Sequence, residues 1–199
     1  MTTTSENGPL SGLRVLEVGM LLAGPMTARV LGEYGAEVLK IEPPGQPDIL
    51  RQWGAQKHEG RGLFWLVNSR NKKCITLDLR VEKGQALMRE LVAKSDVLVE
   101  NFRPGTLEKW GLGWNDLQAI NPNLVLARVS GYGQTGPYAS RAGFASVGEA
   151  MGGIRHINGF RNQPPPRFGI SLGDTLAGLF AVQGILMALH ARNVHGCGG

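Results

Sequence analysis

Residues 13–42 read LRVLEVGMLLAGPMTARVLGEYGAEVLKIE, and this stretch decides the fold. An apolar run over residues 13–19 ends at a glycine and is typical of a buried strand. Residues 24–36 predict a helix, with Pro25 in the first turn, where a helix tolerates proline. Residues 37–42 predict a second strand. A strand, a helix and a strand at this spacing indicate a βαβ unit, whose strands are parallel and joined by a right-handed crossover.

The same alternation of apolar strands and helices continues along the chain. Residues 74–79, 96–102 and 124–131 predict the third, fourth and fifth strands. Residues 81–95 carry apolar side chains at helical spacing. This order of elements predicts the α/β class, as a three-layer Rossmann-like domain with a mainly parallel sheet.

The composition fits one globular domain and limits its partners. The chain has 199 residues, of which 42% are hydrophobic and 19% charged, so a disordered chain is excluded. A net charge of +5 favours an anionic partner. The basic residues are scattered and do not alternate with aromatic residues, which argues against nucleic acid as a partner.

The cysteines and the termini predict the cellular context. Cys74 and Cys197 have no spacing typical of a metal site or a disulfide framework, and residues 1–9 lack a signal peptide. We therefore expect a cytoplasmic protein with a disordered start. No membrane partner is expected, because polar residues interrupt each long apolar run. Residues 192–199 end on a glycine-rich turn of the kind that leads into a strand, which predicts an N-terminal portion of a longer protein.

The residues that follow the strands are the first candidates for a ligand site, because ligands of parallel sheets bind beyond the carboxyl ends of the strands. Asn101, Phe102 and Arg103 offer an amide, an aromatic face and a guanidinium, which suit an adenine ring and a phosphate. A turn with a surface arginine is an equally good interpretation. Residues 19–25 match neither the Walker A nor the dinucleotide pattern. Glu42 ends a strand, where an acid could hold a ribose, so a nicotinamide site stays open.

Asp174 stands at the front of a long apolar stretch over residues 175–192. A carboxylate there can be the N-cap of a helix, where the helix dipole favours negative charge. It can also be a nucleophile that attacks a thioester and forms a mixed anhydride. The local sequence favours the cap. The four histidines have no metal-site spacing, and the G-x-S-x-G motif of α/β-hydrolases is absent.

Five ordered blocks of the chain together resemble the family III CoA-transferases of the CaiB/BaiF type, which include formyl-CoA and carnitine CoA-transferases. The first block is residues 10–42, and the others are NKKCITLDL, VENFRPG, LVLARVSGYGQTGP and GISLGDTLAGLFAVQGILMALHAR. The resemblance implies transfer of coenzyme A from an acyl-CoA to a carboxylic acid, without a metal. It further implies that the full-length protein is an interlocked homodimer, so that this chain alone would be poorly active.

The resemblance also assigns roles to particular residues. Asp174 is implied to be the catalytic aspartate, which carries first an acyl group and then CoA. The residues implied to bind CoA are Leu22, Ala23, Leu77 to Arg80 (Leu77, Asp78, Leu79 and Arg80), Asn101, Phe102, Arg103, Lys109 and Arg141.

Two positions depart from close branches of this family. Leu22 stands where formyl-CoA transferases have a glutamine, which predicts a different acid acceptor. Phe144 stands where the racemase branch has a histidine base, and phenylalanine cannot take a proton. An acyl-CoA racemase is thereby disfavoured but stays an alternative, as does a non-catalytic nucleotide-binding α/β fragment.

Overall fold

A computed structural model describes residues 8–199 of the chain. The expected disorder of residues 1–9 concerns mainly residues 1–7, which lie outside the described residues. Gly8 and Pro9 belong to a turn in which Ser11 donates a backbone hydrogen bond to the Gly8 carbonyl.

Strands and helices alternate over the described chain, as the sequence predicts. In chain order they are β1 Arg14–Glu17, α1 Ala23–Glu33, β2 Glu37–Glu42, β3 Lys57–His58, β4 Arg61–Gly62, α2 Leu63–Asn68, β5 Lys72–Thr76, α3 Glu82–Val92, β6 Val97–Glu100, α4 Thr106–Lys109, α5 Trp114–Ile120, β7 Val125–Arg128, α6 Ala145–Met151 and α7 Leu172–His195. A short 3-10 turn spans Ile49–Arg51.

Five strands form one parallel sheet in the order β5-β2-β1-β6-β7, and β3 and β4 form a small antiparallel pair. The predicted α/β class and mainly parallel sheet are confirmed. The third strand of the sequence prediction begins at Lys72, two residues before Cys74. A strand pattern based on apolar residues excludes lysine, but the Lys72 side chain is fully buried, with its ammonium 2.6 Å from the Glu17 carboxylate.

Helices cover both faces of the sheet and complete the three layers. On one face, α1 and α7 pack on the valines of the strands through Ala28, Leu31, Val182 and Ile185. The opposite face is covered by α3, α4 and α5. Both clusters consist of side chains that are almost fully removed from water, and this burial is the main source of stability.

The chain crosses from one half of the sheet to the other between β5 and β6. It runs outward from β1 to β2 and β5 and then returns through α3 to β6 on the other side of β1. The loops after β1 and β6 therefore diverge and leave a crevice at the carboxyl ends of the strands, where open α/β sheets bind ligands.

Helix α7 is the longest element and is only partly covered. Gly178 lies against α1, and a Cβ atom there would be 3.2 Å from the Ala23 carbonyl oxygen, whereas Gly184 faces open space. Within residues 8–199, α7 alone is long and apolar enough to cross a membrane. The sequence expectation set this stretch aside because Gln183 and His190 interrupt its apolar run. One such helix is weak evidence for a membrane, because core helices of soluble proteins meet the same criteria.

The last residues lie beside the outer edge of the sheet. Gly199 donates to the Leu124 carbonyl and accepts from the Leu126 amide, which is the hydrogen-bond pattern of a parallel strand beside β7. A Cβ atom on Gly198 would lie 2.0 Å from the Leu124 carbonyl oxygen, so this approach requires glycine. The glycine-rich turn after α7 thus returns the chain to the sheet.

Candidate active site

A cavity of about 300 Å³ opens in the crevice at the carboxyl ends of β1, β6 and β7. Its walls come from three parts of the chain: the β1–α1 loop (residues 18–22), the segment after β6, and the β7–α6 segment (residues 129–144). The first turn of α7 closes it. Six of the residues predicted for catalysis or CoA binding line this cavity: Ala23, Asn101, Phe102, Arg103, Arg141 and Asp174.

Asp174 lies in the first turn of α7, and Ser171 is the N-cap of that helix. The interpretation of Asp174 as the N-cap is therefore wrong, because the helix begins three residues earlier than the apolar pattern indicates. Gly173 allows α6 to approach this turn, since a Cβ atom there would lie 2.9 Å from the Ala145 side chain. The half-buried carboxylate consequently faces the cavity without serving as a cap.

Burial is the main cause that raises the pKa of Asp174 above its usual value, and the negative charge of Glu149 adds to it. Arg167 acts in the opposite direction. Glu149 is itself buried on α6 and accepts a hydrogen bond of 3.2 Å from the Gly173 amide. The sequence places Asp174 near a helix N-terminus, which favours the ionised form, whereas burial and Glu149 act in the opposite direction by raising its pKa.

The β1–α1 loop presents Leu21 and Ala23 to the cavity. Leu21 has a φ angle of 64°, in the left-handed region that leucine rarely adopts. This conformation directs the next side chain away, and Leu22 packs against Leu50 and Trp65. Direct contact of Leu22 with CoA stays a prediction, and Leu21 is the neighbour that the cavity contains.

Asn101 binds the backbone of this loop with both ends of its amide. Its Oδ1 accepts from the Met20 amide at 2.8 Å, and its Nδ2 donates to the Met20 carbonyl at 2.7 Å. Two glycines make room for it: a Cβ atom would lie 2.8 Å from Asn101 Oδ1 at Gly19 and 3.2 Å at Gly24. The loops after β1 and β6 are thereby joined.

Arg103 and Arg141 bring positive charge to the cavity from opposite sides. Arg103 follows β6 and is exposed, so its guanidinium is accessible to an anion. The Arg141 guanidinium lies over the Tyr138 ring, 4.1 Å from its centroid. Phe144, which is 72% exposed, lines the same wall.

A second cavity, of about 170 Å³, lies next to the first and shares Phe102 with it. Leu77, Leu79 and Arg80, all predicted to bind CoA, line this cavity. Arg80 pairs with Asp78 at 2.8 Å, and Phe102 packs edge-on against Trp110. The predicted residues thus form two adjacent groups.

Lys109 falls outside these two groups. It is the exposed last residue of α4 and lines neither of the two cavities. Its contact with CoA stays a prediction.

The buried charged side chains around the site were not among the residues predicted from the sequence. Glu17 and Lys40 interrupt apolar strands, and they are paired residues in the ladder between β1 and β2. Such an interruption on two adjacent strands is a recognisable signal for an internal ion pair. Glu149 in the short apolar helix α6 is a similar signal.

No group of three or more metal-binding side chains occurs in the part of the chain that the structure describes. Cys74 and Cys197 are free and exposed. The expected absence of a metal stays a prediction.

The family model of "CoA-transferase family III" matches residues 10–199. The chain belongs to this family. Among relatives of family III, succinyl-CoA–D-citramalate CoA-transferase of Chloroflexus aurantiacus is 58% identical over 198 residues, covering 100% of this chain and 49% of the relative. The succinyl-CoA–L-malate CoA-transferase alpha subunit of Chloroflexus aurantiacus is 52% identical over 198 residues, covering 98% of this chain and 46% of the relative.

Solved structures of the family agree with the fold. The crystal structure of a CAIB/BAIF family protein from Brucella suis superposes with a TM-score of 0.92 at 41% identity, covering 97% of this chain and 52% of the other. The predicted resemblance is confirmed. This family III chain spans about half the length of the curated relatives it matches.

Proposed function

We propose that the full-length protein transfers coenzyme A from succinyl-CoA to a small hydroxylated dicarboxylic acid, with Asp174 as the covalent carrier. The observation that carries the proposal is the cavity that Asp174, in the first turn of α7, lines together with Arg103 and Arg141. The similar Chloroflexus aurantiacus proteins are named for succinyl-CoA with D-citramalate and with L-malate as partners. Two guanidinium groups suit substrates that carry two carboxylates.

The proposed reaction has four nucleophilic substitution steps, all of which involve the Asp174 carboxylate. Asp174 attacks the thioester carbonyl of the donor, the carbon–sulfur bond breaks, and CoA leaves as thiolate from a mixed anhydride. The thiolate then attacks the aspartyl carbonyl, which frees the donor acid and leaves CoA bound to Asp174 as a thioester. The acceptor carboxylate attacks this thioester, the carbon–sulfur bond breaks, and CoA leaves again as thiolate from a second anhydride. Thiolate attack on the acceptor carbonyl releases the new acyl-CoA and restores Asp174.

The surroundings of Asp174 support this role. A carboxylate whose pKa is raised by burial and by Glu149 is less stabilised as an anion and is therefore a better nucleophile once ionised. Phe144 disfavours the racemase alternative, because its exposed ring at the cavity has no group that could exchange a proton with the substrate.

We also infer that the full-length protein is a cytoplasmic homodimer. The support is the apolar side of α7, where Phe180 and Met187 are each 67% exposed and Val194 is 63% exposed. Apolar side chains grouped on one helix are typical of surfaces that pack against other protein. Sedimentation of the full-length protein tests this, with a dimer as the expected species.

The proposed activity is tested by incubating the full-length protein with succinyl-CoA and a panel of acids. We expect transfer to citramalate or malate and much less to acetate, which lacks the second carboxylate. Asp174→Asn should reduce transfer on the order of 10⁴-fold or more, because an amide cannot attack a thioester. CoA binding should persist in that variant. Binding of CoA without transfer by the unaltered protein would favour the non-catalytic alternative.

A further inference from the structure

Four buried charged side chains lie beside the site and take no part in the proposed chemistry. The buried quartet consists of Glu17, Lys40, Asp48 and Lys72, whose side chains are at most 1% exposed. Lys40 lies 2.7 Å from Glu17 and 3.0 Å from Asp48, and Lys72 lies 2.6 Å from Glu17. Buried ion pairs are often no more stabilising than well-packed apolar side chains, so stability alone does not account for the quartet.

The quartet holds the backbone that surrounds the β1–α1 loop. Lys40 donates to the Gly19 carbonyl at 2.8 Å, and Lys72 donates to the Pro25 carbonyl at 2.7 Å. Between them, Asp48 Oδ1 accepts from the Leu21 amide at 3.1 Å and from the Leu50 amide at 3.0 Å. Three of these mutually neutralising side chains therefore hold backbone at the site: Lys40 and Asp48 hold the loop at Gly19 and Leu21, and Lys72 holds the start of α1 at Pro25.

The held conformation is one that the loop would not keep by itself. Leu21 occupies the left-handed region, which residues other than glycine, asparagine and aspartate rarely populate. The Asp48 carboxylate faces its amide, while Asn101 binds Met20 from the opposite side. As a result Leu21 faces the cavity that contains Asp174, and Leu22 packs into the interior.

We propose that the buried quartet is the positioning device of the active site and that Asp48 is its positioning residue for Leu21. It fixes the wall that confronts Asp174, against which the acyl thioester must lie during attack. The inference rests on the proposed function. A displacement of a substrate-contacting wall by about 1 Å can reduce a rate on the order of 100-fold, so a rigid loop has a catalytic consequence.

The test uses the full-length protein with Asp48→Ala and Asp48→Asn. Alanine removes the acceptor for the Leu21 amide, whereas asparagine keeps a side-chain oxygen in the same place. Asp96→Ala is the matched control, because Asp96 accepts from the Arg14 amide at 2.9 Å, at the opposite end of β1 and far from the cavity. The measurements are kcat, KM for succinyl-CoA and amide hydrogen exchange resolved at residues 19–25.

We expect Asp48→Ala to lower kcat by about 10-fold to 100-fold while KM changes by less than about threefold. The Leu21 amide should exchange at least about 10-fold faster than in the unaltered protein. Asp48→Asn should recover most of both properties, and Asp96→Ala should change neither. A folded Asp48→Ala variant with unchanged kcat and unchanged exchange at Leu21 would overturn the inference.

The exchange measurement remains decisive if Asp48→Ala does not fold. In the unaltered protein the Leu21 amide must then be protected well beyond the amides of exposed loops, and exchange at the rate of an exposed loop would refute the inference. This readout does not depend on turnover. A protein without transferase activity but with a protected Leu21 amide would therefore contradict the proposed function and leave the positioning device in place.

Discussion

Two of the three walls of the cavity, the β1–α1 loop and the β7–α6 segment, are built by different means. The β1–α1 loop is held by the buried quartet and by Asn101, through hydrogen bonds of 2.7–3.1 Å to its backbone. The β7–α6 segment is held by local contacts, with Gly131 against Gly143 and Tyr132 edge-on to Tyr138. Its Arg141 and Phe144 are exposed at the cavity. One wall is fixed from inside the protein, and the other is folded on itself at the surface.

This difference assigns different tasks to the walls. A wall fixed by buried charges suits the part of the substrate that never changes, which is the thioester end of CoA. A wall of exposed side chains suits the acid, which differs between related enzymes. We therefore expect substitutions in the β1–α1 loop to affect every substrate, and substitutions in the β7–α6 segment to alter the choice of acid. This differs from the prediction that Leu22 determines the acid acceptor, because the Leu22 side chain packs against Leu50 and Trp65.

The largest difference in transfer rate should be between two variants that add one methyl group near each of these walls. In Gly19→Ala the new Cβ would lie 2.8 Å from Asn101 Oδ1, so the amide that binds Met20 must move. We expect kcat/KM to fall on the order of 100-fold for all acids, measured by steady-state transfer. The matched variant Gly148→Ala adds its methyl group on α6, at a residue that also lines the cavity but has no atom within 4 Å of the new Cβ position.

In Gly148→Ala, alanine favours the helix by roughly 0.5–1 kcal/mol, so thermal unfolding should shift slightly upward. Its transfer rate should stay within a few-fold of the unaltered protein. Equal losses in the Gly19 and Gly148 variants would remove the distinction between the walls.

A smaller effect is expected at the arginines. Arg103→Ala should weaken CoA binding by roughly 1–3 kcal/mol in calorimetry if the guanidinium meets a phosphate or the thioester end. Arg141→Ala should affect CoA less and the acid more, because Arg141 belongs to the β7–α6 segment, whereas Arg103 follows β6. Lys83→Ala, which removes an exposed charge from the first turn of α3, is the control for general electrostatics. Unchanged CoA affinity in Arg103→Ala would place that side chain outside the CoA site.

The smallest change should be a shift in pH dependence. Asp174 must be ionised to attack, so the rate of adduct formation should rise with pH through its pKa and level off above it. Burial, then Glu149, raise this pKa, and Arg167 lowers it. Glu149→Gln removes a negative charge and keeps an acceptor for the Gly173 amide. The pKa of Asp174 should therefore fall, and the acidic limb of the pH–rate profile should move to lower pH.

The control for this shift is Glu33→Gln. Glu33 ends α1 and pairs with Arg29, so its loss should leave the acidic limb in place. A limb that stays unmoved or moves to higher pH in Glu149→Gln would show that Glu149 does not act on Asp174.

The fold could be predicted because its signals are local. The apolar strands and the helices between them determine the α/β class, and the rule for the carboxyl ends of strands located Asn101 to Arg103 at the crevice. Lys72 was missed as a strand residue because its partner, Glu17, is distant in sequence and only the folded sheet brings the two together.

The site was predictable in its residues more than in its geometry. Asp174 and both arginines line one cavity, as the resemblance implies. The sequence could not predict that Leu21, rather than Leu22, lines the cavity. This arrangement follows from the positive φ angle of Leu21, which Asp48 stabilises from another loop. The raised pKa of Asp174 similarly depends on Glu149, which the fold of α6 brings near.

The most direct test of the account is peptide mass spectrometry of the full-length protein, quenched in acid after brief incubation with succinyl-CoA. We expect the peptide containing Asp174 to gain the mass of CoA less one water, and we expect Asp174→Asn to abolish this adduct. Rapid transfer in an unmodified protein, or an adduct on a different residue, would contradict the assignment of Asp174 as the covalent carrier.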